Sequence, residues 1–203
     1  MTSDVLIGLD EYIKGGPRQR IIDAAAQLFR KRGFNAVSMS EVSQAVGLSK
    51  PGLYHHWPGK EALLLAIVGL TSELLLRQLD DARRASDDPG ERMRAFMRTR
   101  LEVLARHQDL FTVTWQERAI LSSGSFARLA SAAEHYRGSV RELIDAAKMA
   151  GVIRADVDTR LLMLALDGMT GWAYFWYREE GALRPSDIGD AFWNMLFEGV
   201  KSG

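Results

Sequence analysis

Side chains that bind phosphates and base edges are concentrated in one short stretch of this 203-residue chain, residues 38–60. Their hydroxyl, imidazole and ammonium groups are hydrogen-bond donors suited to such partners. The two adjacent histidines diverge on a helix and cannot share a metal ion, so no metal site is predicted. The residues concerned are Ser38, Ser40, Ser49, Lys50, Pro51, Gly52, Tyr54, His55, His56 and Lys60.

Cations gather at the N-terminal end of the chain, although its net charge is zero. Residues 1–60 hold eight Lys or Arg and five Asp or Glu, whereas the remainder holds 18 and 21. Between residues 12 and 60 the imbalance is eight against two. A basic module followed by a mildly acidic remainder indicates that the N-terminal part faces phosphates.

Helices must position these groups, because Gly and Pro are few and no run alternates convincingly with period two. Ser38 and Glu41 form a capping box at the start of a short helix. That helix ends at Gly47, and the next begins after Ser49 with Pro51 in its first turn. Two short helices around a glycine-containing turn predict a helix-turn-helix.

The sequence of residues 38–63, SMSEVSQAVGLSKPGLYHHWPGKEAL, closely resembles the DNA-binding signature of the TetR family. The family pattern has a Thr or Ser cap, an Ile/Val-Ala pair, Ala-Gly-Val-Ser, Leu-Tyr-x-His-Phe and Lys-Glu-x-Leu. The match covers about residues 18–65, with Ser43 in place of the usual Ala and Trp57 in place of the usual Phe. The chain is therefore identified as a TetR-type regulator that binds DNA, and no enzymatic activity or cofactor is expected.

The resemblance implies phosphate contacts for five of these residues. Tyr54, His56 and Lys60 match family positions that hold phosphates, and Ser38 and Ser40 do the same from the second helix. Each has an alternative: Ser38 is in any case a cap, Tyr54 is otherwise a rim residue, and Lys60 is otherwise an ordinary lysine at a helix start. The start of a helix is electrostatically a poor place for a lysine, which favours the phosphate interpretation.

The base sequence of DNA is expected to be recognised by the third helix, through its first turn and His55. Lys50, Pro51, Gly52 and His55 point outward if the apolar face locks onto the first two helices. Pro51 can touch a thymine methyl, and Gly52 leaves room for a close approach to the groove floor. The inner face is expected to consist of Leu48, Leu53 and Trp57.

The predicted fold is all-α, with a three-helix helix-turn-helix domain followed by a six-helix ligand-binding and dimerisation bundle. The helical pattern together with the family resemblance divides the chain into a flexible N-terminal arm (1–17), a DNA-binding domain (18–62) and a third part (63–203) for which the resemblance implies ligand binding and dimerisation. The bundle helices are expected at about 60–84, 91–106, 108–121, 126–150, 159–179 and 186–201.

A homodimer is expected from the last two long helices. The segment Thr159–Tyr177 is apolar nearly all round, and a helix without a polar face must be buried on more than one side. A plain interior helix is the alternative, whereas the family resemblance implies a four-helix interface. The residues predicted to form it are Leu161, Phe175, Phe192 and Leu196.

An effector pocket inside the bundle is implied by the same resemblance. Large, adaptable or aromatic side chains are its predicted lining, although most such residues are core packing. His107, Arg118 and His135 are candidate polar anchors. The predicted lining consists of Met93, Phe96, Met97, Phe111, Trp115, Tyr136, Met149 and Trp172.

Residues 171–188 resemble the Trp-x-Tyr-x-Trp-Tyr-Arg stretch of TetR members that control fatty-acid and steroid breakdown and sense acyl-CoA thioesters. The effector is therefore expected to be hydrophobic or acyl-CoA-like, with Arg178 or Arg184 pairing with its phosphates. The likeness is also explained by a shared way of dimerising. An activator or architectural DNA binder with a vestigial pocket is a further alternative.

Other functional classes find little support in the sequence. A helical enzyme or carrier for a hydrophobic molecule is the main rival, but no metalloprotease, nucleophile-elbow, P-loop or Rossmann fingerprint occurs. With no cysteine there is neither a disulfide nor a thiolate site. The first residues lack a basic region ahead of an apolar run, and the apolar stretch 161–175 is too short to span a bilayer. A cytoplasmic protein without membrane contact is expected.

Overall fold

The computed structural model describes residues 9–117 and 127–200, with backbone alone at residues 11, 127–130, 199 and 200. The regular elements in these ranges are helices, which confirms the all-α prediction. In chain order they are α1 (Leu9–Lys14), α2 (Pro17–Arg32), α3 (Met39–Ala45), α4 (Lys50–His56), α5 (Lys60–Arg84), α6 (Pro89–Arg106), α7 (Gln108–Gln116), α8 (Ala127–Met149), α9 (Thr159–Gly171), α10 (Ala173–Trp176) and α11 (Pro185–Val200).

The N-terminal arm differs from the expected flexible segment in the part that the structure describes. Residues Leu9–Lys14 form a helix whose Leu9 and Tyr12 side chains are buried. The Tyr12 hydroxyl donates to Asp23 Oδ1 at 2.7 Å, and the Leu9 amide donates to Glu73 Oε2 at 2.6 Å. Two apolar anchors and two hydrogen bonds explain why this short helix is held against the protein, which its polar sequence did not suggest.

The helix expected over 159–179 is interrupted. α9 ends at Gly171, Trp172 is its C-cap, and α10 stops where Tyr177 turns to extended backbone at ψ 138°. Gly168 and Gly171 lie in the last turn of α9, where glycine weakens a helix. The apolar pattern alone did not reveal this break, because aliphatic residues before it are followed directly by aromatic residues after it.

Two compact units divide the chain. The first comprises Met1–Leu74 and Gln108–Ser131, and the second comprises Leu75–His107 and Ala132–Gly203. In the first unit α2 packs against α3 and α7, and Arg30 pairs with Asp109 at 2.7 Å. The fully buried face of α2 consists of Ile21, Ile22, Ala25, Ala26 and Phe29.

The second unit is built on close packing of α6 and α11. A Cβ added at Gly189 would lie 2.6 Å from the Arg98 Cα, so only glycine permits this approach of the two backbones. Arg94 Nε and Asp190 Oδ1, 2.8 Å apart, join the same helices at their surface. The buried core of this unit includes Met93, Phe96, Met97, Tyr136, Ile144, Leu162, Met163, Leu166 and Trp193.

One described helix, α5, is long and apolar enough to cross a bilayer by length and composition. Within the protein 61% of its most apolar window is buried, which is typical of a core helix. Among the described helices α5 alone passes this test, and the apolar stretch at 161–175, which was expected to be too short to span a bilayer, does not.

Candidate nucleic-acid interface

The predicted capping box is present at the start of α3. The Glu41 amide donates to Ser38 Oγ at 3.3 Å, and the Glu41 carboxylate accepts from the Ser38 amide at 2.8 Å. Arg32 and Ala36 extend this network, because the Arg32 guanidinium pairs with Glu41 and donates to the Ala36 carbonyl. The Ser38 amide and the Arg32 guanidinium together lower the pKa of Glu41 to about 2. The start of α3 is thus attached to the end of α2.

α4 is capped in the same way and docked by its apolar side. Ser49 Oγ accepts from the Gly52 amide at 3.2 Å. Leu53 and Trp57 are completely buried, as the predicted inner face requires, whereas Leu48 is half-buried. Lys50, at the start of α4, remains exposed.

An open depression of about 610 Å³ lies between the start of α3, the exposed side of α4 and the start of α5. It brings together five of the ten residues predicted to contact DNA. Hydroxyls and amines at one concave surface suit phosphate oxygens. The five are Ser38, Ser40, Lys50, Tyr54 and Lys60.

Lys60 has intramolecular partners that account for a lysine at this helix start. Its Nζ donates to the Phe34 carbonyl at 2.8 Å and lies 3.4 Å from the Asn35 carbonyl oxygen. The ammonium also stands 4.4 Å from the centroid of the Phe34 ring. An ammonium has three N–H groups, so one donor is left for a phosphate.

Ser38 and Tyr54 differ in what they can still donate. The Ser38 hydroxyl donates to Glu41 Oε2 at 2.8 Å, so its single proton is already committed. Tyr54 is 51% exposed, and no hydrogen-bond partner for it occurs among the described residues. The Ser49 hydroxyl only accepts in its cap and retains its proton. Tyr54 and Ser49 are therefore the better donors for phosphate.

The remaining predicted residues lie on α4 outside the depression. Pro51 and His55 are exposed, and Gly52 and His56 are half-buried. A Cβ at Gly52 would approach Ser49 Oγ to 3.2 Å, so this glycine also preserves the helix cap. The rings of the two histidines meet edge to face at 5.4 Å, and the described residues contain no cluster of three metal-ligating side chains.

Known families match both parts of the chain. Residues 21–67 match the family described as bacterial regulatory proteins, tetR family. Residues 86–200, more than half of the chain, match the tetracyclin repressor-like C-terminal domain. The chain belongs to the TetR family. It is accordingly a DNA-binding transcriptional regulator and not an enzyme, as the sequence predicted.

Several relatives align over nearly the whole length of this TetR-family chain. The transcriptional repressor KstR2 of Rhodococcus jostii (strain RHA1) is 23% identical, over 93% of both chains. The structure of the ketosteroid regulator KstR2 of Mycobacterium tuberculosis has the same fold, with 20% identity, a TM-score of 0.86 and coverage of 93% and 97%. AibR, crystallised with isovaleryl coenzyme A and operator DNA, is 31% identical with a TM-score of 0.78, covering 89% of this chain and 97% of its own.

The predicted effector-pocket residues are distributed over both units. Phe111 and Trp115 belong to the first unit, where Phe111 is half-buried and Trp115 is exposed. Trp172 is exposed at the end of α9, and Met149 is 90% exposed because it ends α8 just before the turn at Gly151. These three exposed residues do not face the interior of a bundle, contrary to expectation.

Four predicted pocket residues do come together in the core of the second unit: Met93, Phe96, Met97 and Tyr136. The first three have 0–1% of their surface accessible, so no water-sized space adjoins them. Among the candidate anchors, His135 is exposed and His107 is half-buried, with burial and then Arg106 lowering the pKa of His107. Arg118 lies outside the described residues.

The predicted interface residues fall into two classes. Leu161 is 66% and Phe175 is 62% exposed, whereas Phe192 and Leu196 are half-buried against the core. Further large apolar side chains are exposed on α9 to α11 or at the junction between them. These are Leu164, Trp172, Trp176 and Met195.

Sequence reasoning missed a polar group within the core of the second unit. Arg100 is 8% exposed, its guanidinium binds the Tyr136 hydroxyl, and it pairs with Asp167 at 2.9 Å. A signal was available, because Arg100 follows Met93, Phe96 and Met97 at helical spacing on the buried face of α6. A charged residue in that register must meet a partner inside the protein.

Proposed function

We propose that this chain is a cytoplasmic repressor that binds a palindromic operator as a homodimer and leaves it when a hydrophobic or acyl-CoA-like effector binds. The observation that carries the DNA part is the depression where Ser38, Ser40, Lys50, Tyr54 and Lys60 meet beside α4. In this proposal residues 18–62 bind DNA, and residues 63–203 bind the effector and dimerise.

Two copies of α4 related by a dimer axis would read half-sites about one helical turn, roughly 34 Å, apart. Tyr54, Ser49 and Lys60 hold phosphates and so set the register, while Lys50, Pro51 and His55 reach base edges. The concentration of cations before residue 61 supports this assignment, since it gives the N-terminal part of a neutral chain a positive field.

Exposed apolar side chains on the second unit support the dimer. Several large apolar side chains that are exposed on neighbouring helices of the chain are typical of a protein–protein interface. Leu161, Leu164, Phe175 and Met195 are each more than half exposed and belong to α9, α10 and α11. A second copy that covers these helices would bury the ~1,000 Å² expected of a biological interface.

The acyl-CoA part rests on relatives and on residues 171–188. AibR is described in complex with isovaleryl coenzyme A and operator DNA, and KstR2 is a ketosteroid regulator. Of the two arginines expected to meet CoA phosphates, Arg184 already pairs with Asp187 at 2.8 Å, which raises the pKa of Arg184. Arg178 is exposed and donates to the Phe175 and Tyr177 carbonyls. Arg178 is therefore the better partner for a phosphate.

Titration of the operator complex with a panel of acyl-CoA esters, free acids and neutral hydrophobic compounds tests the proposal. To lower operator occupancy about a hundredfold, an effector must favour the non-binding state by about 3 kcal/mol. By linkage, operator DNA must weaken effector binding by the same factor. Release by neutral compounds with no response to any CoA ester would refute the thioester, and failure to bind any palindrome near its own gene would refute the repressor.

A further inference from the structure

The core of the second unit contains a charged and incompletely hydrogen-bonded group. Arg100 and Tyr136 are 8% exposed or less, and Arg100 lies on the same face of α6 as Met93, Phe96 and Met97. The guanidinium stands over the rings of Phe96 and Tyr136, at 5.9 and 5.6 Å from their centroids. An arginine among apolar side chains is costly unless every donor has a partner.

Two donors in this cluster have no acceptor among the described residues. One Arg100 terminal nitrogen donates to the Tyr136 hydroxyl and the other to Asp167, but the buried Nε–H binds nothing. The Tyr136 oxygen accepts from Arg100, so its own proton remains to be donated. Burial raises the pKa of Tyr136 to about 12, so that proton is present at neutral pH.

An unpartnered acceptor belongs to Gln78 of α5, which is hydrogen-bonded to α6. The amide nitrogen of Gln78 donates to the Phe96 carbonyl at 3.1 Å and to Thr99 Oγ1 at 2.7 Å. The Thr99 proton goes to the Ala95 carbonyl, so both partners of Gln78 can only accept and the orientation of its amide is determined. Gln78 Oε1 is consequently the atom that is buried without a partner.

The charge of the cluster decides what can bind there. Asp167, with its carboxylate at 2.9 Å, already balances Arg100 and is itself 46% exposed. A second carboxylate would have to displace Asp167 or leave a surplus negative charge beside the core, which is costly. An uncharged oxygen of a ligand can accept from the free Arg100 Nε–H and the Tyr136 hydroxyl without adding a charge to the core.

We propose that Arg100 and Tyr136 form the polar end of an effector site that takes an uncharged carbonyl group, as in a ketone, ester or thioester, on an apolar body. This assignment rests on the proposed function in one respect, namely that the second unit binds a hydrophobic effector. The apolar body replaces the present contacts of Met93 and Met97, whose unbranched side chains adapt to new shapes more easily than branched ones. Asp167 makes the site discriminate against the corresponding free acid.

Three compounds of matched length test the assignment on the protein without DNA, by calorimetry or by competition with a fluorescent apolar probe. They are 2-nonanone, nonanoate and 2-methyl-1-nonene, in which a methylene group replaces the carbonyl oxygen. The ketone should bind about tenfold or more tightly than the alkene, because a hydrogen bond from a charged donor is gained, and more tightly than the acid. Equal binding of ketone and alkene, tighter binding of the acid, or no binding of the ketone would overturn the inference.

Variants separate a binding role from a structural one. Arg100→Lys keeps the charge opposite Asp167 but removes the Nε–H, and it should abolish the preference for ketone over alkene. Asp167→Asn removes the balancing charge and should shift the preference about tenfold or more towards nonanoate. Gln78→Met is the control, because it changes a buried polar residue of α5 that hydrogen-bonds α6 at Phe96 and Thr99 and should leave the ketone preference intact.

The outcomes distinguish this site from the function on which it rests. Unchanged selectivity in a folded Arg100→Lys or Asp167→Asn protein would overturn the site even if all variants still bind operator DNA. If no operator is found but the selectivities change as described, the site stands and the repressor proposal fails. The comparison of the three compounds on the unaltered chain needs no variant, so a variant that does not fold leaves the inference testable.

Discussion

The surface that we propose to bind DNA and the core of the second unit differ in how the donors of their polar side chains are used. In the first unit, the Arg32 guanidinium and the Ser38 hydroxyl both donate to Glu41 at the cap of α3. Lys50 and Tyr54 are exposed and are therefore accessible to another molecule. In the second unit, Arg100 is buried and yet has a free donor. Water can serve the unpaired groups of an exposed surface, but a core has no such solvent. An unsatisfied core donor therefore says more about a ligand than an unsatisfied surface donor does.

The largest effect is expected from a charge on the exposed apolar side of the second unit. Leu161→Asp should give a folded monomer, because its side chain is 66% exposed in the single chain and a dimer would bury the new carboxylate. Loss of the second half-site contact should weaken operator binding by about 10²- to 10⁴-fold. Sedimentation and operator titration measure both effects.

Ile13→Asp is the control, since Ile13 is an exposed apolar residue of the first unit on α1. Phe192→Asp and Leu196→Asp test something else, because both side chains are half-buried against the core and their loss also destabilises the fold. A well-folded Leu161→Asp dimer would move the interface to another surface.

The next effect concerns sequence reading by α4. Lys50→Ala should lower specific operator affinity about tenfold or more and relax base preference at one position, because an exposed ammonium at the first turn reaches base edges. Lys14→Ala is the control: Lys14 is an exposed lysine on α1, and its replacement should change neither operator affinity nor base preference. Binding measured against a set of single-base operator variants decides it, and an unaltered preference would make Lys50 a phosphate contact.

A smaller effect separates the two roles of Lys60. Lys60→Ala should weaken binding to all sequences and reduce the salt slope by about one, because one phosphate contact is lost. Lys60→Met keeps an apolar side chain against the Phe34 ring and should lose the same salt dependence with less loss of thermal stability. If neither variant changes the slope, Lys60 only holds the Phe34 and Asn35 carbonyls.

The smallest effect is expected at the α3 cap. Ser38→Ala should lower the free energy of unfolding by about 1 kcal/mol, as for other serine caps. It should also raise the pKa of Glu41 from about 2 by only part of the way towards its ordinary value of 4.5, because the hydroxyl of Ser38 is lost whereas the backbone amide of residue 38 and the Arg32 guanidinium, which lower the pKa most, remain. A carboxyl titration followed by NMR measures this shift.

The low pKa of Glu41 also predicts how the stability of the fold depends on pH. A carboxyl whose pKa is lower in the folded state stabilises the fold fully above its unfolded value of 4.5. That contribution is lost as the pH falls from 4.5 to about 2. Glu41→Gln should remove this part of the acid dependence, and an unchanged acid profile would contradict the capping network.

Prediction from sequence succeeded best where a few neighbouring residues define the geometry. The capping box of Ser38 and Glu41, the start of α4 after Ser49 and the burial of Leu53 and Trp57 all follow from spacings within one or two helical turns. It was weaker for the effector pocket, where Met149 and Trp172 were expected inside and are exposed. Residue type and periodicity do not distinguish a side chain that lines a pocket from one at the surface.

By itself the sequence determined the all-α class, the helix-turn-helix and the membership of the TetR family, because hydrophobic period, caps and a compact motif are local properties of the chain. Only the tertiary structure decided that Lys60 holds the Phe34 carbonyl, that Tyr12 anchors α1 to Asp23, and that Arg100 meets Asp167. Each of these pairs joins residues at least 11 positions apart. Which distant partners meet depends on how helices pack, and a helical pattern specifies which face is buried but not which helix covers it.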